Sequence, residues 1–209
     1  MLRQTSRDKT ADLRRKIAQE AAYLLYFGLE TEYKQAKVNA AGTLGAHVLP
    51  SNLEIALELD KVAQETEGPA RTVRLTQMRI EALKIMQMLD THSPLLIGSV
   101  WRGTIRRGSD IDVEVHHDCP EEIVKLLKKS DLKILGTEQI TVTENGKPQE
   151  SFHAHATSGK FEVEVVVRSS EEVSRKRVCD IFGDQIKGLT LRELTKLLRE
   201  DPTKKFVPP

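Results

Sequence analysis

Residues 96–117 read LIGSVWRGTIRRGSDIDVEVHH, and the pattern of this stretch changes twice. An apolar run ends at a Gly-Ser pair (98–99), a basic and polar segment follows, and a period-two alternation begins at Asp110. Because adjacent side chains of a strand point to opposite faces, Asp110 and Asp112 share one face and Ile111 faces the core. Two carboxylates held so close repel each other, so the pattern predicts a cation between them.

A magnesium ion that holds a phosphate group fits this pattern. Mg²⁺ prefers carboxylate and phosphate oxygens, and it commonly bridges one or two protein carboxylates to the phosphates of a substrate. Upstream of Asp110, the Gly-Ser pair ends one strand and opens a short helix, where free backbone N–H groups favour an anion. Glycine also lets a phosphate approach the backbone closely. We therefore expect a polyphosphate substrate at this site.

Hydrophobic periodicity predicts four amphipathic helices before this stretch, over about 8–27, 30–41, 52–65 and 70–90. The spacing of Ser51 and Glu54 is that of a capping box, and the methionines of the fourth helix are expected in the core. After residue 92 the patterns predict a strand, a short helix, a strand and a helix. Three antiparallel strands follow, with turns at Asn145-Gly146 and Ser158-Gly159.

The last segment is predicted to contain a short helix over 171–177 and a second helix that a Thr190–Glu193 capping box opens. These elements together predict an α+β fold in three parts. Residues 1–91 form a helical region, residues 92–169 a small core with a mixed, largely antiparallel sheet, and residues 170–209 a short helical tail.

The bulk composition excludes several classes of protein. Lysine and arginine total 32 against 31 aspartate and glutamate, so a surface for nucleic acid would have to be local. The two cysteines, Cys119 and Cys179, have neither metal-type spacing nor a disulfide framework. The first twenty residues lack the apolar stretch of a signal peptide, and no later run approaches the ~18 apolar residues of a membrane span. We expect a cytoplasmic protein with no membrane partner.

The Gly-Ser pair followed by Asp110 and Asp112 resembles the signature of the DNA polymerase β-like nucleotidyltransferase superfamily. Members of that superfamily carry a third carboxylate on a later, neighbouring strand. Residues 161–169, FEVEVVVRS, place Glu162 and Glu164 on one face, and either side chain could reach the site. Archaeal CCA-adding enzymes have an aspartate before a run of valines at this point, which favours Glu164 and leaves Glu162 as the alternative.

The resemblance implies that residues 92–169 are the nucleotidyltransferase core of an enzyme of EC 2.7.7 type. Such an enzyme moves a nucleoside monophosphate from an NTP, for example ATP, to an acceptor hydroxyl and uses two Mg²⁺ ions, or Mn²⁺. Asp110 and Asp112 would bind both ions, and Glu164 would bind only the ion that activates the acceptor, so all three would be metal-binding and catalytic. Further residues would hold the β and γ phosphates: Gly98 and Ser99, with Arg102, Arg106 or Arg107 as charge partners.

The acceptor and several other properties remain open at this point. RNA 3′ ends, protein side chains and small molecules are all used as acceptors in this superfamily, and neither the NTP preference nor the oligomeric state follows from the sequence. A noncatalytic nucleotide- or RNA-binding module, or a toxin–antitoxin-type partner with the same fold, is the alternative function.

Other charged and imidazole groups have a plainer interpretation beside the functional one. For the arginines after the Gly-Ser pair, a solvated helix face and turn is the alternative to phosphate contact. The histidines are interpreted as surface or hydrogen-bonded structural groups and not as a zinc site. A basic stretch is interpreted as solvated helix surface and not as a nucleic-acid contact. These groups are His116, His117, His153 and His155, and Arg168, Arg175, Lys176 and Arg177.

Overall fold

A computed structural model describes residues 2–144 and 147–208 of the chain, and it confirms the predicted α+β class. The described chain divides into two compact units. The first contains residues 2–71 and Val178–Asp184, and the second contains residues 72–177 and 185–207. The three-part division drawn from the sequence stays a prediction.

The first unit is built from three helices, α1 (Leu2–Tyr26), α2 (Tyr33–Thr43) and α3 (Asn52–Glu67). Helix α1 begins before the predicted residue 8, and α2 begins and ends a little later than predicted. The predicted capping box is confirmed, because Ser51 Oγ accepts from the backbone N–H of Glu54 and the Glu54 carboxylate accepts from the N–H of Ser51. Small and aliphatic side chains form a separate core here, among them Ile17, Ala21, Ala36, Ala40 and Ile55.

The second unit contains the sheet that carries the predicted site. Helix α4 (Pro69–Met88) is followed by β1 (Leu95–Ile97), α5 (Gly98–Arg102), β2 (Ile111–His116), α6 (Pro120–Lys128), β3 (Lys133–Glu144), β4 (Lys147–Ser158), β5 (Phe161–Arg168), β6 (Leu189–Thr190) and α7 (Leu191–Glu200). The strand order is β3-β4-β5-β2-β1-β6. Only the β2–β5 pair is parallel, and the other neighbours are antiparallel. The predicted mixed, largely antiparallel sheet is thus confirmed.

One face of this sheet is the core of the second unit. Ile111, Val113 and Val115 of β2 are fully buried, as the alternation in the sequence predicted. The methionines of α4 at positions 78 and 86 are also buried in this core, as predicted, whereas the prediction is wrong for Met88, which is exposed. The opposite face of β2 carries the acidic residues, so the period-two pattern separates the packing of the strand from its chemistry.

Two local predictions have different outcomes near the ends of the sheet. The Asn145-Gly146 turn lies outside the described residues, although β3 and β4 pair antiparallel up to Glu144 and Lys147. The helix predicted over 171–177 is wrong, because only a 3₁₀ turn forms at Ser170–Glu172. After that turn the segment is not helical, and the Arg177 side chain bonds to the Glu114 carboxylate.

Among the described residues, no helix combines the length and the apolar character needed to cross a membrane.

A fully buried arginine joins three segments of the second unit. The Arg79 guanidinium of α4 donates to four backbone carbonyls, those of Val100 (3.1 Å), Trp101 (2.9 Å), Pro202 (2.7 Å) and Lys204 (2.9 Å). Burial lowers the pKa of Arg79 to about 10, with Asp201 acting in the opposite direction. Arg79 therefore links the end of α5 to the C-terminal segment, and its bonds to the Val100 and Trp101 carbonyls are buried.

We expect Arg79→Met to lower the free energy of unfolding by about 3–5 kcal/mol, because it removes four hydrogen bonds, two of them buried, at Val100 and Trp101. Urea unfolding of the two proteins measures the difference. Lys84→Met on the same helix is the matched control, since the Lys84 ammonium is exposed and pairs only at the surface with Glu81. The control should change stability by less than about 1 kcal/mol. Equal effects of the two variants would contradict this account of Arg79.

Candidate active site

Three carboxylates meet on the polar face of the sheet. Asp110 immediately precedes β2, Asp112 lies within it, and the parallel pairing places Glu164 of β5 directly opposite Asp112. One oxygen of each carboxylate lies within 4.8 Å of the other two, and all three residues are partly buried. We call this group the acidic cluster. Glu162 is exposed and is outside the cluster.

The acidic cluster is electrostatically unfavourable by itself. Burial raises the pKa of Asp112 well above its usual value, and the neighbouring Asp110 and Glu164 charges raise it further. Burial also raises the pKa of Asp110, against an opposing backbone hydrogen bond. Among the described residues, no lysine or arginine pairs with either aspartate. Hard carboxylate oxygens with this uncompensated charge suit a divalent cation.

Gly98 is required by the conformation of the turn and by the space beside it. Its φ is +67°, in the left-handed region that side chains disfavour. A Cβ atom at this position would overlap Asp112 Oδ2 and would stand 2.7 Å from Asp112 Cγ. The sequence explained Gly98 by the approach of a phosphate. The structure adds a second reason, which is that the Asp112 carboxylate lies against the Gly98 backbone.

Ser99 has an unsatisfied hydroxyl in the first turn of α5. Its Oγ atom is buried, and it has no hydrogen-bond partner within the part of the chain that the structure describes. Buried polar atoms are normally paired, so the Ser99 hydroxyl is available to a polar group of a ligand. An anionic oxygen is such a group, and the predicted phosphate contact of Ser99 is consistent with this geometry.

The predicted phosphate-binding arginines have different environments. Arg102 is 3% exposed, so its interpretation as a solvated helix residue is wrong. Its guanidinium lies 4.4 Å from the centroid of the Trp101 ring and donates to the Phe206 carbonyl at 3.1 Å. Arg106 and Arg107 lie in the loop between α5 and β2, where Arg107 is exposed. Phosphate contact by Arg102 or Arg107 stays a prediction.

Two histidines of β4 lie beside the third carboxylate, on the same sheet face. His153 Nδ1 is 2.7 Å from Glu164 Oε1, and its Nε2 is 2.8 Å from Ser151 Oγ. His155 Nε2 is 2.9 Å from Glu138 Oε1, and its Nδ1 is 4.0 Å from Glu164 Oε1. The contacts of these histidines with Glu164 were not predicted from the sequence, because they depend on the register between β4 and β5.

The next acidic residue along β2 has the opposite electrostatic environment. Glu114 is 1% exposed, and its carboxylate accepts from Arg168 Nε at 2.9 Å and from the Arg177 guanidinium. The interpretation of these two arginines as solvated helix surface is therefore wrong. Because two arginines compensate Glu114, the uncompensated charge on this face of β2 is confined to the acidic cluster.

This site belongs to a known class of domain. Residues 81–182 match the family model of the nucleotidyltransferase domain, and the matched segment includes the acidic cluster and the Gly-Ser pair. This domain family is one of the polymerase β-like nucleotidyltransferase superfamily, so the match agrees with the resemblance seen in the sequence. A comparison of the chain with curated proteins finds no match.

We expect Gly98→Ala to destabilise the protein more than Gly108→Ala does. Both glycines have a positive φ, +67° and +78°, so alanine at either position should cost about 1–2 kcal/mol of backbone strain. Only at Gly98 does the new Cβ also displace Asp112, because no atom lies within 4 Å of a Cβ at Gly108. Urea unfolding compares the two variants, and equal losses would show that Asp112 does not crowd Gly98.

The pH dependence of stability should identify the unfavourable charge at Asp112. Its pKa is raised in the folded protein, so the stability contributed by the protonated carboxyl is present at low pH and is lost as the pH rises through the raised pKa. In chelator-treated protein, Asp112→Asn should therefore be more stable than the wild type above neutral pH, by roughly 1–3 kcal/mol. The difference should shrink as the pH falls toward about 4.

The control for this measurement has the opposite sign. The pKa of Asp118 is lowered by hydrogen bonds from the backbone N–H of Ser170 and the hydroxyl of Ser169. Asp118→Asn should therefore lose stability relative to the wild type at neutral pH and regain it on acidification. If Asp112→Asn is less stable than the wild type at neutral pH, the ionised Asp112 carboxylate does not destabilise the folded protein.

Proposed function

We propose that this protein is a metal-dependent nucleotidyltransferase that moves a nucleoside monophosphate from an NTP to an acceptor hydroxyl and releases pyrophosphate. The observation that carries the proposal is the acidic cluster, in which three carboxylate oxygens lie within 4.8 Å of one another. A cluster of this kind is stable in its charged form only with bound cations. The match of residues 81–182 to the nucleotidyltransferase domain supports the reaction class.

The residues of the cluster have different roles in this proposal. Asp110, just before β2, and Asp112, within it, would hold two Mg²⁺ ions or Mn²⁺ ions. Divalent ions bound there would lower the pKa of the acceptor hydroxyl and neutralise the charge of the leaving pyrophosphate. Glu164 approaches the pair from β5 and ligates only on the acceptor side. Its loss should therefore impair the chemical step more than the binding of the NTP.

The Gly-Ser turn holds the phosphates of the nucleotide. The unpaired Ser99 hydroxyl donates to a β or γ phosphate oxygen, which satisfies a buried group that has no other partner among the described residues. Gly98 keeps this position free of a side chain, so the phosphate and the Asp112 carboxylate can lie on the same backbone segment. Arg102 or Arg107 would add positive charge near the triphosphate.

The acceptor is a hydroxyl of RNA, of a protein side chain or of a small molecule, and ATP is among the nucleotides to be tested. The two cysteines are free thiols, which fits a reaction in the reducing cytoplasm. A noncatalytic module or a toxin–antitoxin-type partner is less consistent with the site, because such a protein has no need of three mutually repelling carboxylates.

Label transfer from each α-³²P NTP tests the proposal, with Mg²⁺ or Mn²⁺ and with total RNA, total protein and a small-molecule pool as acceptors. We expect wild-type protein to label one pool. Asp110→Asn, Asp112→Asn and Glu164→Gln should each reduce labelling by at least about 100-fold, because each removes a proposed metal ligand. Glu162→Gln is the matched control and should retain labelling within about 2-fold, since Glu162 is outside the cluster.

Two results would contradict parts of this proposal. If no pool is labelled although the wild type binds NTP in a metal-dependent manner, the protein is a noncatalytic nucleotide-binding module. If Glu162→Gln abolishes labelling and Glu164→Gln does not, the third carboxylate is Glu162.

A further inference from the structure

His153 is held between the third carboxylate and a buried serine. It lies on β4, next to β5, with a side chain that is 13% exposed. Its Nδ1 is 2.7 Å from Glu164 Oε1, and its Nε2 is 2.8 Å from Ser151 Oγ. Both ring nitrogens are therefore engaged, and Ser151 itself is 7% exposed.

The chemistry of the two partners determines where the imidazole proton lies. An ionised carboxylate only accepts hydrogen bonds, so His153 must donate to Glu164 through Nδ1–H. In the neutral ring Nε2 is then an acceptor, and the Ser151 hydroxyl can donate to it. The arrangement satisfies every polar atom of the His153 ring without requiring a charged imidazolium. Glu164 thereby selects the tautomer, because the Ser151 hydroxyl can either donate or accept and so pairs with Nε2 in both forms.

We propose that His153 is a positioning residue that fixes the orientation of the Glu164 carboxylate toward Asp112. This proposal rests on the proposed function, in which Glu164 is the third metal ligand. A glutamate side chain has three rotatable bonds, and the side chain of Glu164 is 22% exposed. Without a restraint, Glu164 would therefore also sample rotamers that face solvent. The hydrogen bond from His153 restricts that freedom.

Loss of a hydrogen bond to a metal-ligating carboxylate commonly lowers metal affinity or activity by about 10–100-fold. Because Glu164 ligates on the acceptor side in the proposed mechanism, the loss should appear in kcat and in metal affinity. The KM for NTP should change little, since the Gly-Ser turn and the two aspartates would still hold the triphosphate. A merely structural histidine would not separate kcat from KM in this way.

His155 provides a matched comparison on the same strand face. It is two residues away, and its Nδ1 is 4.0 Å from the same Glu164 oxygen, beyond the usual hydrogen-bond distance. Its Nε2 instead contacts Glu138. Substitution at His155 removes an imidazole near the cluster without removing the hydrogen bond to Glu164.

The experiment compares His153→Leu, His153→Asn and His155→Leu in full-length protein. Asparagine places an amide N–H near the position of Nδ1 and should restore the hydrogen bond. We expect His153→Leu to lose about 10–100-fold in kcat and in Mn²⁺ affinity measured by direct titration, with KM for NTP changed by less than about 3-fold. His153→Asn and His155→Leu should stay within about 5-fold of the wild type in all three quantities.

A second readout does not depend on activity or on metal. Two-bond ¹H–¹⁵N NMR spectra of the chelator-treated protein distinguish the two neutral tautomers of His153. We expect the Nδ1–H form in the wild type, and a shift toward Nε2–H in Glu164→Ala, which removes the acceptor. Ser151→Ala should keep the Nδ1–H form, because the Glu164 carboxylate still accepts from Nδ1.

The outcomes separate the two proposals. An Nε2–H tautomer in the wild type, or equal losses in His153→Leu and His155→Leu, would overturn the positioning role. An Nδ1–H tautomer that depends on Glu164, in a protein that labels no acceptor pool and whose Mn²⁺ affinity is unchanged by Glu164→Gln, would instead overturn the proposed function.

Discussion

The parallel pairing of β2 with β5 is the constraint on which the site depends. This pairing has one register, Asp112 opposite Glu164 and Val113 opposite Val165. The register is fixed from the core side, because a slip of one residue would turn the buried valines to the polar face and the carboxylates into the core. Apolar packing on one face of the sheet therefore determines the distances between charged groups on the other. Repulsion between the carboxylates of the acidic cluster opposes the pairing of β2 with β5, and the apolar packing enforces it.

The carboxylates on the polar face of β2 have two different electrostatic environments. Glu114 is compensated by arginines from β5 and from the segment after it, and this pairing neutralises a carboxylate that is almost completely buried. The aspartates two and four residues earlier have no such compensation, and burial raises the pKa of both. The electrostatic cost of a buried carboxylate is thus retained at the two aspartates and removed at Glu114. This difference is consistent with binding of a cation at the aspartates.

The sequence was most informative where structure depends on neighbouring residues. Capping boxes at Ser51 and Thr190, the alternation of β2 and the Gly-Ser pair before the two aspartates are all local signals, and the structure contains each of these elements. The burial of Arg102 involves a chain segment far along the sequence, and the contact of His153 with Glu164 depends on the register between β4 and β5. Residues 102 and 206, for example, are separated by 104 positions. A pattern within one segment carries no information about such partners.

The binding of the C-terminal segment by Arg79 and Arg102 has a consequence for the time at which the site is completed during synthesis. The backbone of Arg102, at the end of the helix that begins with the Gly-Ser pair, accepts from the N–H of Phe206 at 2.9 Å. A ribosome adds about 5–20 residues per second, so the 104 residues between these partners take roughly 5–20 s to be made. During that interval Asp110 and Asp112 have been synthesised, but the C-terminal segment that contacts Arg102 has not. The nascent chain therefore lacks the C-terminal contacts of α5 for several seconds after the acidic cluster's first two residues have been made.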